Sequence, residues 1–393
     1  MHDQRKYSIP VYHLAILVLL WLGIHILLVH QYGLRNLHDA ASYVRRADYL
    51  LIHGSMEDSQ DIFYAVPVGL IALFRWLFPG QLVPFLFFQS IVSVLAAIAL
   101  YRAGSKLFNN TLAGLATGVI FLSGWDTIQW NTTTMTESLA CSVICFILYR
   151  LTCFRGSAKD YAWIITLLII NFFTRPTGVV IIVGTLAFLL HYYRHDIRRN
   201  YRVMMIGIPC LLILAYWSAD QMFTRWDFTD QYRRGNIVTY MDVIEGGTLY
   251  RSEMRLDTAG IVLTGQEPSV WKIVAFVINN PAHFVKAACL KVYYLMTGIR
   301  PYYSTLHNVY ILIWLALMYT LYYIGWRNTP KSSVRFFTMA VVILNCCLIG
   351  ISTVDWDNRF YIPMQPGIVL LAGGGVAYGI GRFKTFHVSG NSQ

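Results

Sequence analysis

The stretch VYHLAILVLLWLGIHILLV, residues 11–29, decides the class of fold. It carries no charged side chain over the length that a helix needs to cross the hydrocarbon core of a bilayer, about 20 apolar residues. Arg5 and Lys6 precede it, as basic residues precede a secretory signal. The run is long for a signal segment and no small-residue cleavage site follows it, so it reads as a retained first span.

Working outward, comparable blocks recur along the whole chain. Of its 393 residues 56% are hydrophobic and only 13% charged, about half the charged fraction of a soluble domain, so the apolar side chains are expected to face lipid. Spans are read at roughly 11–30, 83–101, 111–129, 137–153, 161–174, 177–193, 203–219, 306–326, 336–352 and 365–381. The expectation is an all-α, polytopic transmembrane protein of about ten spans, with residues 1–393 forming a single membrane domain. No fixed-period repeat and no hydrophilic terminal domain is expected. The seven cysteines lie mostly in apolar helices without a CxxC pair or a zinc-like spacing, and read as small buried hydrophobes.

The net charge of +11 could signal nucleic acid. Position argues against that partner. An even number of spans puts both termini on one side, together with Arg102, Lys106, Arg150, Arg155, Lys159, Arg194, Arg327, Arg335, Arg382 and Lys384. Short loops rich in Lys and Arg mark the cytoplasmic face. The opposite face holds two long segments, 31–82 and 220–305, and most acids, among them Asp39, Asp48, Glu57, Asp58, Asp61, Glu137, Asp355 and Asp357. The working surface is therefore expected on the extracytoplasmic side of a bacterial inner or plasma membrane.

The long segments carry their own helical patterns. HDAASYVRRADYLLI, residues 38–52, places Ala41, Val44, Ala47 and Leu51 at helical spacing, as an interfacial amphipathic helix would. Residues 68–78 are too few to span and end at Pro79-Gly80; residues 269–296 read as two helices broken at Asn279-Asn280-Pro281.

Ionisable groups at the rim of a membrane are costly and are candidates for function. Asp39 could act as a general base toward a sugar hydroxyl, or simply start a helix. Glu137 in NTTTMTESLA could do the same or complement a helix dipole. Asn131-Thr132-Thr133 also matches a glycosylation sequon. Arg175 in FFTRPTG needs an anionic partner, either a carboxylate or a phosphate. In DWDNRFYIPMQP, residues 355–366, Arg359 meets two aspartates, Phe360 and Tyr361 at headgroup level. No GxxxxGK[ST], GxGxxG after a strand, GxSxG or HExxH is present, which removes support for soluble nucleotide chemistry and the common hydrolases.

Taken in order, these motifs resemble the GT-C superfamily of integral membrane glycosyltransferases, in particular its protein-mannosyltransferase-like and aminoarabinose-transferase-like branch. The resemblance runs through HDAASY at Asp39, the aromatic-proline step from Tyr64 to Pro67, QSIVSVLAAIALYRAGSKLF, Thr136-Glu137, TRPTG, Asn280-Pro281 and NRFYIP. It implies a sugar donor carried on a polyprenyl phosphate, an extracytoplasmic glycan, lipid or protein acceptor, and inversion at the anomeric carbon. By position it implies Asp39 as the catalytic carboxylate and Arg175 and Arg359 as candidates to hold the donor phosphate, with Glu137 one candidate for an assisting acid and His38, Tyr64 and Tyr361 candidates to line the substrate. Where many relatives carry two adjacent acids this chain has His38-Asp39, so Glu57, Asp58 and Asp61 are further candidates for the second acid. Family members differ in their use of a divalent cation, and Mg or Mn stays open as a cofactor. The competing readings are a lipid-linked glycan transporter or flippase, and an oligosaccharide polymerase or ligase.

Overall fold

The structure is a computed structural model, and it describes residues 9–35, 39–194, 228–239, 254–263, 270–329, 332–355 and 357–390, with Tyr216 and Asp220. The expected span at 203–219 and the candidate His38 lie outside the described residues. The described residues are helical and form no strand beyond isolated bridges. In chain order the helices are α1 Val11–Tyr32, α2 Asp39–His53, α3 Ala65–Leu77, α4 Val83–Leu107, α5 Thr111–Ser123, α6 Trp125–Ile128, α7 Glu137–Thr152, α8 Ala158–Phe172 and α9 Gly178–Tyr192. They continue as α10 Phe228–Arg233, α11 Val270–Asn279, α12 Pro281–Thr297, α13 Thr305–Asn328, α14 Ser333–Ile351 and α15 Gln365–Gly390.

Local chemistry accounts for many of the boundaries. Asn110 caps α5 by accepting from Leu112 N at 2.8 Å, and Ser157 with Asp160 forms a reciprocal capping box at the start of α8. Pro79-Gly80 closes α3, as its sequence requires. Asn280-Pro281 separates α11 from α12 with a bend of 112°, because proline has no backbone N–H to give a helix interior and its ring clashes with the preceding turn. The face of α2 differs from its expected one. Val44 and Ala47 are buried together with Ala40 and Tyr43, while Ala41 and Leu51 are exposed, and the Tyr43 ring packs on that of Tyr64.

Among the described residues, α1, α4, α13 and α14 are long and apolar enough to cross a membrane, giving four spans, or up to six if the bent pairs α5–α6 and α11–α12 each count as one. Helices α7, α8 and α9 have 16, 15 and 15 residues. At about 1.5 Å per residue they are shorter than a hydrocarbon core of about 30 Å.

The chain packs as two compact units: Met1–Thr185 with Ala316–Thr338 and Ile362–Gln393, and Leu186–Leu315 with Met339–Tyr361. In the first unit α4 is the central helix, packed against α5 and α7, with α15 also against α5. Small residues permit this. A methyl group on Gly114 would stand 2.5 Å from the Tyr101 carbonyl oxygen, and one on Gly373 2.7 Å from the Thr117 nitrogen. Without a hydrophobic driving force between helices in lipid, such close backbone approach is a main source of their attraction. Gly325 and Gly375 make a reciprocal contact of the same kind: a methyl on Gly375 would run into the Leu321 carbonyl oxygen, and one on Gly325 into that of Leu371. Gly375→Val is therefore expected to force α15 from α13 and cost about 1–3 kcal/mol, seen as a lower midpoint of thermal unfolding in detergent; an unchanged midpoint would refute the contact.

In the second unit, Ile237 N donates to Met254 O at 3.1 Å, Val354 N to Ile237 O at 3.2 Å and Thr239 N to Val354 O at 2.8 Å. These bonds tie the extended pieces together beside α10, α11 and α12. The Tyr232 hydroxyl donates to Gly350 O at 2.5 Å, and its ring packs on Phe276 and Phe284.

Candidate functional site

The most informative segment of the first unit is the turn from Trp130 to Glu137, WNTTTMTE, every residue of which is buried although most are polar. Buried polar groups must be hydrogen-bonded within the protein, and here the partners come from several helices. Gln89, fully buried on α4, donates its amide toward the carbonyl oxygens of Trp130, Asn131 and Thr133 at 3.2, 2.9 and 2.8 Å. A second set of contacts starts on α1. His25 Nδ1 faces the Trp21 carbonyl oxygen at 2.7 Å, which can only accept, so Nδ1 carries the proton and Nε2 accepts from Asn131 Nδ2 at 2.9 Å. The Ser138 hydroxyl then donates to Asn131 Oδ1. Asn131 is thus sequestered, and its sequon is closed to a glycosylating enzyme in the folded protein. Gln89→Leu would leave the turn's carbonyls without this donor; we expect a destabilisation of about 1–3 kcal/mol, measurable as a fall in the unfolding midpoint, and no fall would show that the turn is held otherwise.

Four segments close into a ring at this end of the unit. The Thr134 hydroxyl donates to Ala40 O at 3.3 Å, next to Asp39, and Arg35 N donates to Thr132 O at 2.9 Å. Arg175 Nη1 donates to Glu137 Oε1 at 2.7 Å, with the arginine 6% and the glutamate 1% exposed. From that turn Phe173 O accepts from Val66 N at 3.0 Å, and Phe63 packs on Phe172. Tyr64 meets Tyr43 at 5.3 Å between ring centroids, which returns the path to α2. The guanidinium of Arg46 lies 5.5 and 5.7 Å from the Tyr43 and Tyr64 rings and pairs with the buried Asp61 at 3.0 Å.

Asp39, Tyr64, Glu137 and Arg175 are therefore brought onto one connected set of segments. Asp39 is the first residue of α2 and half-buried, where its charge meets the positive end of the helix dipole. The chain doubles back at TRPTG because Gly178 has no side chain: a methyl there would stand 2.9 Å from the Asn171 carbonyl oxygen. Of the further acids, Glu57 pairs with Arg45 and Asp61 with Arg46. The guanidinium of Arg175 is engaged by a carboxylate, the first of the two partners that its sequence context allowed.

Arg359 and Tyr361 belong to the second unit and form a buried 3-10 turn. Arg359 Nε stands 2.7 Å from Asp355 Oδ2, and Thr239 donates to Asp355 Oδ1 at 3.0 Å. Two buried cations nearby carry no motif. Lys291 donates to Ser352 O at 2.7 Å and lies 3.5 Å from the Tyr232 ring centroid. Arg300 is 1% exposed and donates to the carbonyl oxygens of Tyr294, Ile299 and Asp355 at 2.8, 2.8 and 2.9 Å. Burial pushes the neighbouring Tyr302 phenol above its ordinary range. In each case an isolated charge or amide within an apolar run was the only signal that the sequence offered, and it did not name the partner.

Among the described residues no group of three or more His, Cys, Asp and Glu side chains gathers as a metal ion would require. No protein-family model matches the sequence, and no curated protein matches it.

Proposed function

We propose that this membrane protein is a glycosyltransferase that moves a sugar from a polyprenyl-phosphate donor to an extracytoplasmic acceptor. The observation that carries the reading is the ring made by Arg35, residues 39–40, 61–66, 130–137 and 173–178, which joins the start of an amphipathic helix bearing Asp39 to two polar turns. In this reading the chain threads the bilayer about ten times, with both termini in the cytoplasm and the ring at the outer headgroup level. The basic ends of α4 and α7, with Lys106 and Arg150, support that orientation.

Chemically, an acceptor hydroxyl oxygen attacks the anomeric carbon as the bond from that carbon to the donor phosphate oxygen breaks. The hydroxyl proton passes to Asp39, the polyprenyl phosphate leaves with the bonding electrons, and the anomeric configuration inverts. Positioned cations stabilise the charge that develops on the leaving phosphate.

The test is to incubate the purified full chain with a panel of polyprenyl-phosphate sugars and a membrane extract, and to identify glycosylated products by mass spectrometry. A product whose mass grows by one sugar is expected. Absence of product from every donor, with uptake of a lipid-linked glycan into vesicles, would replace the enzyme by a transporter.

A further inference from the structure

We infer that Arg35 is the residue of the first unit that takes the phosphate group of an anionic lipid. The inference rests on the reading above and names the cation that it leaves open. Arg45, Arg46, Arg75 and Arg175 already hold carboxylates, those of Glu57, Asp61, Asp48 and Glu137. Arg35 has no carboxylate partner among the described residues. Its Nη2 is shielded from water without an acceptor among the described residues, although the side chain as a whole is only half-buried. A partly desolvated guanidinium in that condition gains more from an anion than one already paired.

The surroundings hold this side chain in place. Gly33, at a φ of 68°, ends α1 and turns the chain so that the Arg35 guanidinium lies 3.8 Å over the ring of Tyr32. The Tyr32 hydroxyl accepts from Trp125 Nε1 at 3.2 Å, and the Arg35 backbone is fastened to Thr132. A planar guanidinium suits the paired oxygens of a phosphate. Because α1 is apolar enough to span, its end lies at headgroup depth, where Tyr and Trp gather and lipid phosphates are the abundant anions. The negative end of the α1 dipole supplies part of the charge balance, but it gives Nη2 no acceptor.

The experiment places the full chain in phosphatidylcholine nanodiscs and measures binding of sugar-free polyprenyl phosphate by native mass spectrometry. Parallel arms use phosphatidylglycerol and inorganic phosphate. Wild type is expected to retain polyprenyl phosphate and Arg35→Gln to bind it roughly 10- to 100-fold more weakly, the worth of a charged hydrogen bond. Arg102→Gln, on the other end of a helix, should change nothing. Displacement by inorganic phosphate would support the phosphate itself as the recognised group, and equal retention of phosphatidylglycerol would support a headgroup site without donor selectivity. Wild-type affinity in Arg35→Gln overturns the inference and leaves the enzyme reading intact; failure of wild type to bind any arm overturns the site and the donor assignment together. Should Arg35→Gln not fold, Tyr32→Leu decides, because it removes the ring beneath the guanidinium: an unchanged affinity overturns the inference and a weakened one upholds it.

Discussion

Glu137→Ala is expected to destabilise the protein by about 3–5 kcal/mol, the usual consequence of removing one partner from a buried ion pair. Arg175 is only 6% exposed and its Nη1 donates to Glu137 Oε1 at 2.7 Å, so the substitution takes a bonded carboxylate from a buried guanidinium. The same change also frees the Thr136 hydroxyl, which stands 3.3 Å from Glu137 Oε2. Thermal unfolding in detergent, followed by intrinsic fluorescence, checks the magnitude. Arg175→Met should be nearly as harmful, because it removes the cation bonded to the buried Glu137 carboxylate. The double variant Glu137→Met with Arg175→Met should recover much of the loss, since apolar replacement of a whole buried pair is often close to neutral. A single variant as stable as wild type would show that the pair does not hold the two turns together. If the double variant regains stability but not transfer, the pair serves the reaction as well as the fold.

Asp39→Asn carries the second large effect, a fall in transfer of about 10²- to 10⁴-fold, which is what a general base contributes. The choice of asparagine separates the two roles open to Asp39. Asparagine is nearly the same size and also suits a helix start, so a residue that only begins α2 would lose no turnover and at most about 1 kcal/mol of attraction to the helix dipole. A base loses its proton acceptor. Turnover of a fixed polyprenyl-phosphate sugar, with the unfolding midpoint measured beside it, is the readout: an unchanged midpoint with lost turnover is expected. Full turnover in well-folded Asp39→Asn would remove Asp39 from the chemistry and return Glu137 to consideration.

Much of the helix pattern was legible in the residues. The apolar run from 11 begins a helix at Val11, Asn280-Pro281 breaks one, and α2 and α3 start and stop within a few residues of their expected limits. The number of crossings was less legible. Hydropathy scores a short apolar helix and a spanning one alike, and the described structure supports four to six spans by length and composition. Spacing placed Val44 and Ala47 on the buried face of α2 and left out Tyr43, whose ring packs on that of Tyr64.

What the sequence determined by itself was the environment of the chain and the punctuation of its helices, because both follow from local properties: the transfer cost of each side chain and the backbone limits of proline and glycine. Partners were decided only by tertiary structure. Arg175 could meet a carboxylate or a phosphate, and it meets Glu137, 38 positions away. Gln89 sits in an apolar run with no hint that its amide faces the carbonyls of 130–133. Arg35 stood outside every motif. Pairings of this kind depend on distances through space between segments remote in the chain, and hydrogen bonds and ion pairs act only over a few ångströms. The packing of α1, α4 and α7 sets those distances.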